Sequence, residues 1–270
     1  MRNEDLIVFT DLDGTLLDHH SYNWQPALPA LETLRNLNIP VVLCTSKTAA
    51  EVEKLHKELA LSSPYIIENG AGIIIPEKAS ATTGNAYFFG KSYDEILLLL
   101  QKIRSANQFD FTGFNDFTAA EVAQETGLSQ PEALLAKRRL CSEPIRWDDH
   151  PDRLSAFREQ LARYQLKLLQ GGRFYHVLDE SADKGTALKW VLDYYHQSSP
   201  QTSWFSVALG DAPNDQDMLE AADLAVIIPA INGCSPNPRN NKILHATKSG
   251  PDGWNQAILN ILNLSNHKET

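Results

Sequence analysis

A chain of 270 residues, 43% of them hydrophobic, can form one large domain or two ordinary ones and bury a sizeable core. A net charge of −10 argues against nucleic acid or an anionic membrane as partner, no run approaches a membrane span, and the polar, acidic N-terminus is unlike a signal peptide. The three cysteines, Cys44, Cys141 and Cys234, are too few and too scattered for a disulfide framework or a zinc site, so a reducing cytoplasm is expected.

The run Leu6 to Phe9 predicts a buried strand, and Gly14 tolerates a tight turn just beyond it. Asp11 and Asp13 then sit at the strand's carboxyl end, where open α/β sheets hold ligands. Alternate residues of an extended chain project to one side, so the two carboxyl groups can converge, at a cost unless a cation or a shared proton separates them. Taken alone, Asp-x-Asp-Gly is more often a strand-ending turn whose acids cap backbone.

Leu28, Leu31, Leu34 and Leu37 mark a helical face, and Val41 to Cys44 a second buried strand. This β-α-β order predicts a parallel sheet. Thr45-Ser46-Lys47-Thr48 follows at the same sheet edge. Thr45 is either a hydroxyl donor to a ligand or a helix N-cap, while Lys47 has no apolar role and can face a substrate anion. Tyr65 to Gly70 and Gly72 to Ile75 read as a hairpin through an Asn-Gly turn.

Small polar residues from Ala81 to Asn85 predict a hinge, and the region beyond is too long for a loop, so it is expected to be a separate domain. Within it, Tyr93 to Ile103 is helical, and Thr118-x-x-Glu121 and Ser129-x-x-Glu132 are capping boxes. Pro144 to Trp147 predicts a strand, Leu154, Phe157 and Leu161 a helix face, and Leu166 to Gln170 with Arg173 to Leu178 a hairpin around Gly171-Gly172. Arg138 and Arg139 end a helix, where they either complement its dipole or bind an anion.

Asp183-Lys184-Gly185 opens a helix with Leu188, Val191, Leu192 and Tyr195 on one face. A lysine at a helix start opposes the dipole, which points to a partner acid nearby. Phe205 to Leu209 is a strand with Gly210, Asp211, Asn214 and Asp215 at its carboxyl end. Strand Leu224 to Ile228, a Pro- and Asn-rich loop from Pro229 to Asn241, a helix after Asp252 and a frayed tail complete the chain.

These segments together resemble the haloacid-dehalogenase-like (HAD) phosphohydrolases, on Asp11-Leu12-Asp13-Gly14-Thr15, Thr45, Lys184 and Gly210-Asp211-Ala212-Pro213-Asn214-Asp215. The resemblance implies an α/β fold: a Rossmann-like core of residues 1–84 and 184–270, with a parallel sheet and helices on both faces, and an inserted α+β cap of residues 85–183. It implies Asp11 as nucleophile, Asp13 as general acid/base, and Thr45 and Lys184 as the other catalytic residues. It further implies Mg²⁺ held by Asp11, the main-chain carbonyl of Asp13 and Asp211, with Asp215 either a ligand or the holder of a metal-bound water. An acid at Asp13 favours a hydrolase or mutase over an ATPase.

The cap looks like that of the Cof-like branch. With Thr45-Ser46-Lys47-Thr48, Ala136 to Arg139, Ser142-Glu143-Pro144, Gly171-Gly172-Arg173-Phe174-Tyr175-His176 and Gly250-Pro251-Asp252-Gly253-Trp254, the chain is similar to the mannosyl-3-phosphoglycerate phosphatases. That similarity implies a small phosphorylated sugar-acid as substrate. An arginine fork binds a carboxylate bidentately, so Arg138 and Arg173 are the substrate candidates, with Gly171 and Gly172 admitting backbone donors and Lys47 and Asn69 on the substrate side. His176 is expected to be structural. A broader sugar phosphatase and a phosphomannomutase share this chemistry; a non-catalytic phosphorylatable switch is the remote alternative, and Asp13 argues against it.

Overall fold

A computed structural model describes residues 6–76, 85–231, 233–240 and 242–266, the side chains of 265 and 266 excepted. The expected hinge at 81–84 and the tail from 267 lie outside the described residues. In chain order the first part comprises β1 (Leu6–Thr10), α1 (Leu28–Asn36), β2 (Val41–Leu43), α2 (Ala49–Glu58), β3 (Tyr65–Ile67), β4 (Gly72–Ile75) and β5 (Asn85–Phe88). The middle holds α3 (Tyr93–Asn107), β6 (Phe111–Gly113), α4 (Ala119–Thr126), α5 (Gln130–Ala136), β7 (Ser142–Trp147), α6 (Leu154–Ala162), β8 (Leu166–Gln170) and β9 (Tyr175–Asp179). The last part is α7 (Lys184–Ser198), β10 (Phe205–Gly210), α8 (Gln216–Ala221), β11 (Leu224–Ile227), β12 (Ile243–His245) and α9 (Gly250–Asn266).

A parallel sheet in the order β12-β11-β10-β1-β2 forms the centre, and β1 shows why its strands read as unbroken apolar runs. Leu6 and Val8 pack with α1, α2 and α9 on one face, while Ile7 and Phe9 pack with α7 and α8 on the other. A strand covered on both faces needs apolar side chains at every position. Strand β12 was not predicted: Ile243–His245 is short and mostly exposed at the sheet edge, so it carries no such run.

Local chemistry sets the element ends. Thr48, not Thr45, caps α2, accepting from the Glu51 amide (3.2 Å) while Glu51 accepts from the Thr48 amide (2.8 Å). The boxes at Thr118 and Ser129 cap α4 and α5 in the same way. The Gly253-Trp254 pair has a packing role. Trp254 is fully buried and donates to Thr10 Oγ1 (2.9 Å), tying α9 to the end of β1, and a Cβ on Gly253 would lie 1.8 Å from the Lys248 carbonyl.

The cap is an antiparallel sheet in the order β6-β7-β9-β8. Helices α3 and α6 cover one face through Ile96, Leu100, Phe157 and Leu161, with Val177 of β9 beneath them. Leu178, the next residue, points the other way and meets Ala71 of the core. Asn85–Phe88, which the expected cap of residues 85–183 includes, pairs with β4 in the small sheet β3-β4-β5. The two linkers to the cap lie side by side, joined by Lys91 and Asp179 (3.0 Å).

Glu143 of β7 is buried within the cap, where Oε1 accepts from the Asn115 amide (2.8 Å) and Oε2 from the Tyr93 hydroxyl (2.8 Å). Burial raises its carboxyl from 4.5 to about 7, against the lowering pull of those two bonds and of Arg139. A folded-state value above the unfolded one means the folded protein holds the proton more tightly. Its contribution to stability is therefore fully present at low pH and is lost as pH rises through about 7. Between about pH 5 and pH 8 the wild type should lose about 2–3 kcal/mol more than Glu143→Gln, which has no carboxyl to ionise. Urea midpoints of both proteins at the two pH values check this; parallel losses would contradict it.

Candidate active site

The ends of β1 and β10 place three acids together. The Asp11 amide donates to the Leu209 carbonyl (2.9 Å), which carries the ladder just past the strand and presents the carboxylate at the sheet edge. Asp211 follows β10, and its Oδ1 accepts from Thr15 (2.9 Å). Gly14, at φ +85°, lets the turn after β1 close on Asp211, since a Cβ there would lie 2.5 Å from Asp211 Oδ2. Oxygen atoms of Asp11, Asp211 and Asp215 fall within 4.8 Å of one another.

Lys184, in the first turn of α7, is buried and bridges Asp11 Oδ1 (2.7 Å) and Asp215 Oδ1 (2.6 Å). This explains an ammonium at a helix start: two carboxylates outweigh the dipole. The tip of the β3–β4 hairpin packs on the same helix start. Gly70, at φ +90°, would place a Cβ 2.2 Å from the Asp183 carbonyl, so only glycine fits.

Three carboxylates against one ammonium leave the centre over-acidic. Burial first, then Asp215, holds the Asp11 carboxyl well above the usual carboxylate range despite Lys184. Burial and Asp215 likewise raise Asp211 to about 7. Burial works against the Lys184 ammonium, but Asp11 and Asp215 outweigh it and leave its proton more tightly held. A donor set made only of oxygens, with excess negative charge, fits a hard divalent cation such as Mg²⁺. Asp215 is already engaged: Oδ1 holds Lys184, and Oδ2 takes the amides of Asp211 and Ala212 (3.0 Å each).

Between cap and core lies a cleft of about 170 Å³, bordered by Asp13, Tyr22, Lys47, Arg139, Arg173 and His176 among others. Lys47 pairs with Asp13 Oδ2 (2.9 Å), while Asp13 Oδ1 is buried and has no hydrogen-bond partner among the described residues. Thr45, freed from capping, accepts from the Lys47 amide (3.2 Å). Burial, then Arg139 and Lys184, push the His176 imidazole down to about 3, so it is neutral at the cleft wall.

Several expected substrate contacts are placed otherwise. Arg138 is exposed and does not line the cleft. Past the end of α5, Lys137 turns inward to the carbonyls of Phe114 and Phe117, Arg138 points outward, and Arg139 turns inward again. Asn69 is buried, with left-handed backbone, and accepts from Asn214 (3.1 Å), so it ties the hairpin tip to the loop after β10 instead of lining the cleft. Gly171 closes its hairpin by donating to the Phe174 carbonyl (2.9 Å), and Gly172 and Arg173 reach the cleft.

Residues outside the expected set complete the site. Arg139, 7% exposed, donates through Nη2 to the Ser46 carbonyl of the core (3.1 Å) and to Ser142 Oγ (2.6 Å). Glu68 is fully buried, lies 3.5 Å from Arg139, and accepts from the amides of Leu140 (2.8 Å) and Cys141 (3.1 Å) and from Ser142 Oγ (2.8 Å). Core and cap thus clasp each other through one buried ion pair. Alternation of Arg139 with the exposed Arg138 was the available sequence signal, but it needs the position of the helix end.

Comparison with known proteins agrees with this geometry. The haloacid dehalogenase-like hydrolase family matches residues 8–230. The fold is shared with a solved Thermoplasma acidophilum protein at 15% identity and TM-score 0.68, covering 95% of this chain and 97% of that one. A HAD-superfamily phosphatase from Bacteroides thetaiotaomicron gives 17% identity and TM-score 0.68, covering 96% of each chain. The sucrose-phosphatase of Synechocystis, solved with sucrose and phosphate, gives 16% identity and TM-score 0.62 and covers 95% and 97%. A family match that runs from β1 past the loop bearing Asp211 and Asp215 shows that this chain belongs to the haloacid dehalogenase-like hydrolases.

Proposed function

We propose that the protein is a Mg²⁺-dependent phosphatase acting on a phosphorylated sugar-acid, mannosyl-3-phosphoglycerate being the substrate that the sequence resemblance favours. The observation that carries the reading is the Asp11 carboxylate, held by Lys184 through Oδ1 (2.7 Å) beside Asp211 and Asp215; the reading assigns the attack to Oδ2. Asp11 Oδ2 forms a bond to phosphorus as the bond from phosphorus to the sugar-acid oxygen breaks. Asp13 gives its proton to that leaving oxygen, then takes one from the water that attacks the aspartyl-phosphate and frees inorganic phosphate. Lys184 balances the charge, and the Thr45 hydroxyl donates to a phosphoryl oxygen.

Asp11, Asp211 and the main-chain carbonyl of Asp13 would hold Mg²⁺, which would supply further neutralisation of the phosphoryl oxygens. Asp215 serves this site by fixing Lys184 and the 211–212 amides. A substrate anion entering the cleft competes with Asp13 for Lys47, so Lys47 is the residue that exchanges an internal partner for the substrate. The cap spans the region between β5 and α7, and the clasp between Glu68 and Arg139 holds it over the site.

Lys47 and Arg139 reach the cleft already paired with Asp13 and Glu68, and Arg173 brings a guanidinium to it without a carboxylate partner among the described residues, which supports a substrate with a carboxylate besides its phosphate. The fold shared with a sugar phosphatase supports a sugar on the leaving group. Phosphate release with Mg²⁺, compared among mannosyl-3-phosphoglycerate, glucosyl-3-phosphoglycerate, 3-phosphoglycerate and hexose phosphates, tests the assignment. Comparable efficiency on hexose phosphates would replace it with a broader sugar phosphatase, and isomerised hexose phosphate without free phosphate would replace it with a mutase. Arg173→Ala, on an exposed side chain, should raise KM for the sugar-acid about tenfold and for a neutral sugar phosphate about twofold or less. Equal effects would remove the carboxylate contact.

A further inference from the structure

The loop between β1 and α1 carries a feature the chemistry above leaves unused. Tyr22 adopts φ +54°, a left-handed conformation in which a bulky side chain is strained and glycine is not. The strain is held in place locally. Asp18 Oδ1 accepts from the amides of His20 (3.2 Å) and Ser21 (2.8 Å) and from Ser21 Oγ (2.7 Å). The Asp18 carbonyl accepts from the Tyr22 amide (3.0 Å), and the Asp18 amide donates to Asn23 (3.0 Å).

This turn delivers the ring to the cleft. Tyr22 is 41% exposed, borders the cleft on the core side, and has the Lys47 ammonium 4.9 Å from its ring centroid. Phe114 and Phe174 border the cleft on the cap side, packed edge to face at 5.0 Å. The cleft beside Asp13 therefore has aromatic side chains on its core side and on its cap side. Apolar faces of a sugar ring pack against aromatic faces, and the cations already present suit the substrate's anions.

We propose that Tyr22 is a substrate-specificity residue supplied by the core, its ring forming the wall against which the sugar of the leaving group packs. The inference rests on the sugar-acid reading of the site and deepens it: recognition of the sugar is shared between cap and core. A glycine would relieve the backbone at this position, so the turn itself has no need of a tyrosine and the side chain is the part with a use.

The test compares mannosyl-3-phosphoglycerate with 3-phosphoglycerate, which keeps phosphate and carboxylate and lacks the sugar. The wild type is measured first on both, so a protein that releases phosphate from neither fails the parent reading, not this one. Tyr22→Ala should raise KM for the mannosyl ester about tenfold and leave kcat and the constants for 3-phosphoglycerate within about twofold. Tyr22→Phe should restore KM, because the ring face and not the hydroxyl is needed. Tyr22→Gly should show the same rise in KM with a melting temperature equal to or above that of the wild type. Equal effects on both substrates would overturn the proposal and make Tyr22 a positioning residue for Lys47, and an unchanged KM would overturn it outright.

Discussion

Asp11→Asn should abolish phosphate release while the protein stays folded. The loss expected is at least about a thousandfold in kcat, because the amide cannot form the acyl-phosphate that the carboxylate forms. Stability should not follow activity. Burial and Asp215 already work against a charge on Asp11, so a neutral side chain of the same shape removes repulsion, and its oxygen still accepts from Lys184. The melting temperature without Mg²⁺ should therefore match or exceed that of the wild type. Its increase on adding Mg²⁺ should shrink, since one ligand has lost its charge. Phosphate release and thermal melts, each with and without Mg²⁺, check this; retained turnover would refute Asp11 as the nucleophile.

Lys184→Met should have the opposite profile, losing both activity and stability. Methionine fills a comparable volume, so the change isolates the ammonium. Without it, Asp11 and Asp215 lose the group they share at 2.7 and 2.6 Å, and three buried carboxylates face one another with no cation. Removing one partner from a buried ionic cluster costs about 3–5 kcal/mol. That is a large part of the 5–15 kcal/mol or so by which a typical domain is stable. Millimolar Mg²⁺ should recover part of the melting temperature and none of the activity, because the cation neutralises the acids without replacing the Lys184 contact on Asp11. A variant as stable as the wild type in metal-free buffer would show that Lys184 does not hold this cluster together.

Much of the fold is written in local patterns. The unbroken apolar runs at Leu6, Val41 and Phe205 each became a strand of the parallel sheet, and the Asn-Gly turn became the β3–β4 hairpin. Two Ser/Thr-x-x-Glu boxes marked the starts of α4 and α5. The positions that resisted reading share one property: their side-chain direction depends on a neighbour far along the chain. Thr45 was open between cap and ligand until Thr48 took the cap. Arg138 and Arg139 are adjacent and chemically alike, and only the end of α5 and the carbonyls that receive Lys137 decide which one turns inward. Asn69 looked like a substrate contact, but its left-handed turn commits it to Asn214.

By itself, the sequence determined that acids end the strands at Leu6 and Phe205 and that a lysine opens a helix against its dipole. Strand periodicity, turn glycines and capping pairs are encoded within a few neighbouring residues, and the acid motifs ride on those elements. Only the tertiary structure decided that Lys184 lies between Asp11 and Asp215, partners 173 and 31 residues away in the chain. It alone turned Arg139 and Tyr22 into the cleft and left Arg138 outside. The physical reason is that a charge or a ring takes its direction from what it packs against, and those partners meet only once the sheet has closed and the cap has docked on Glu68.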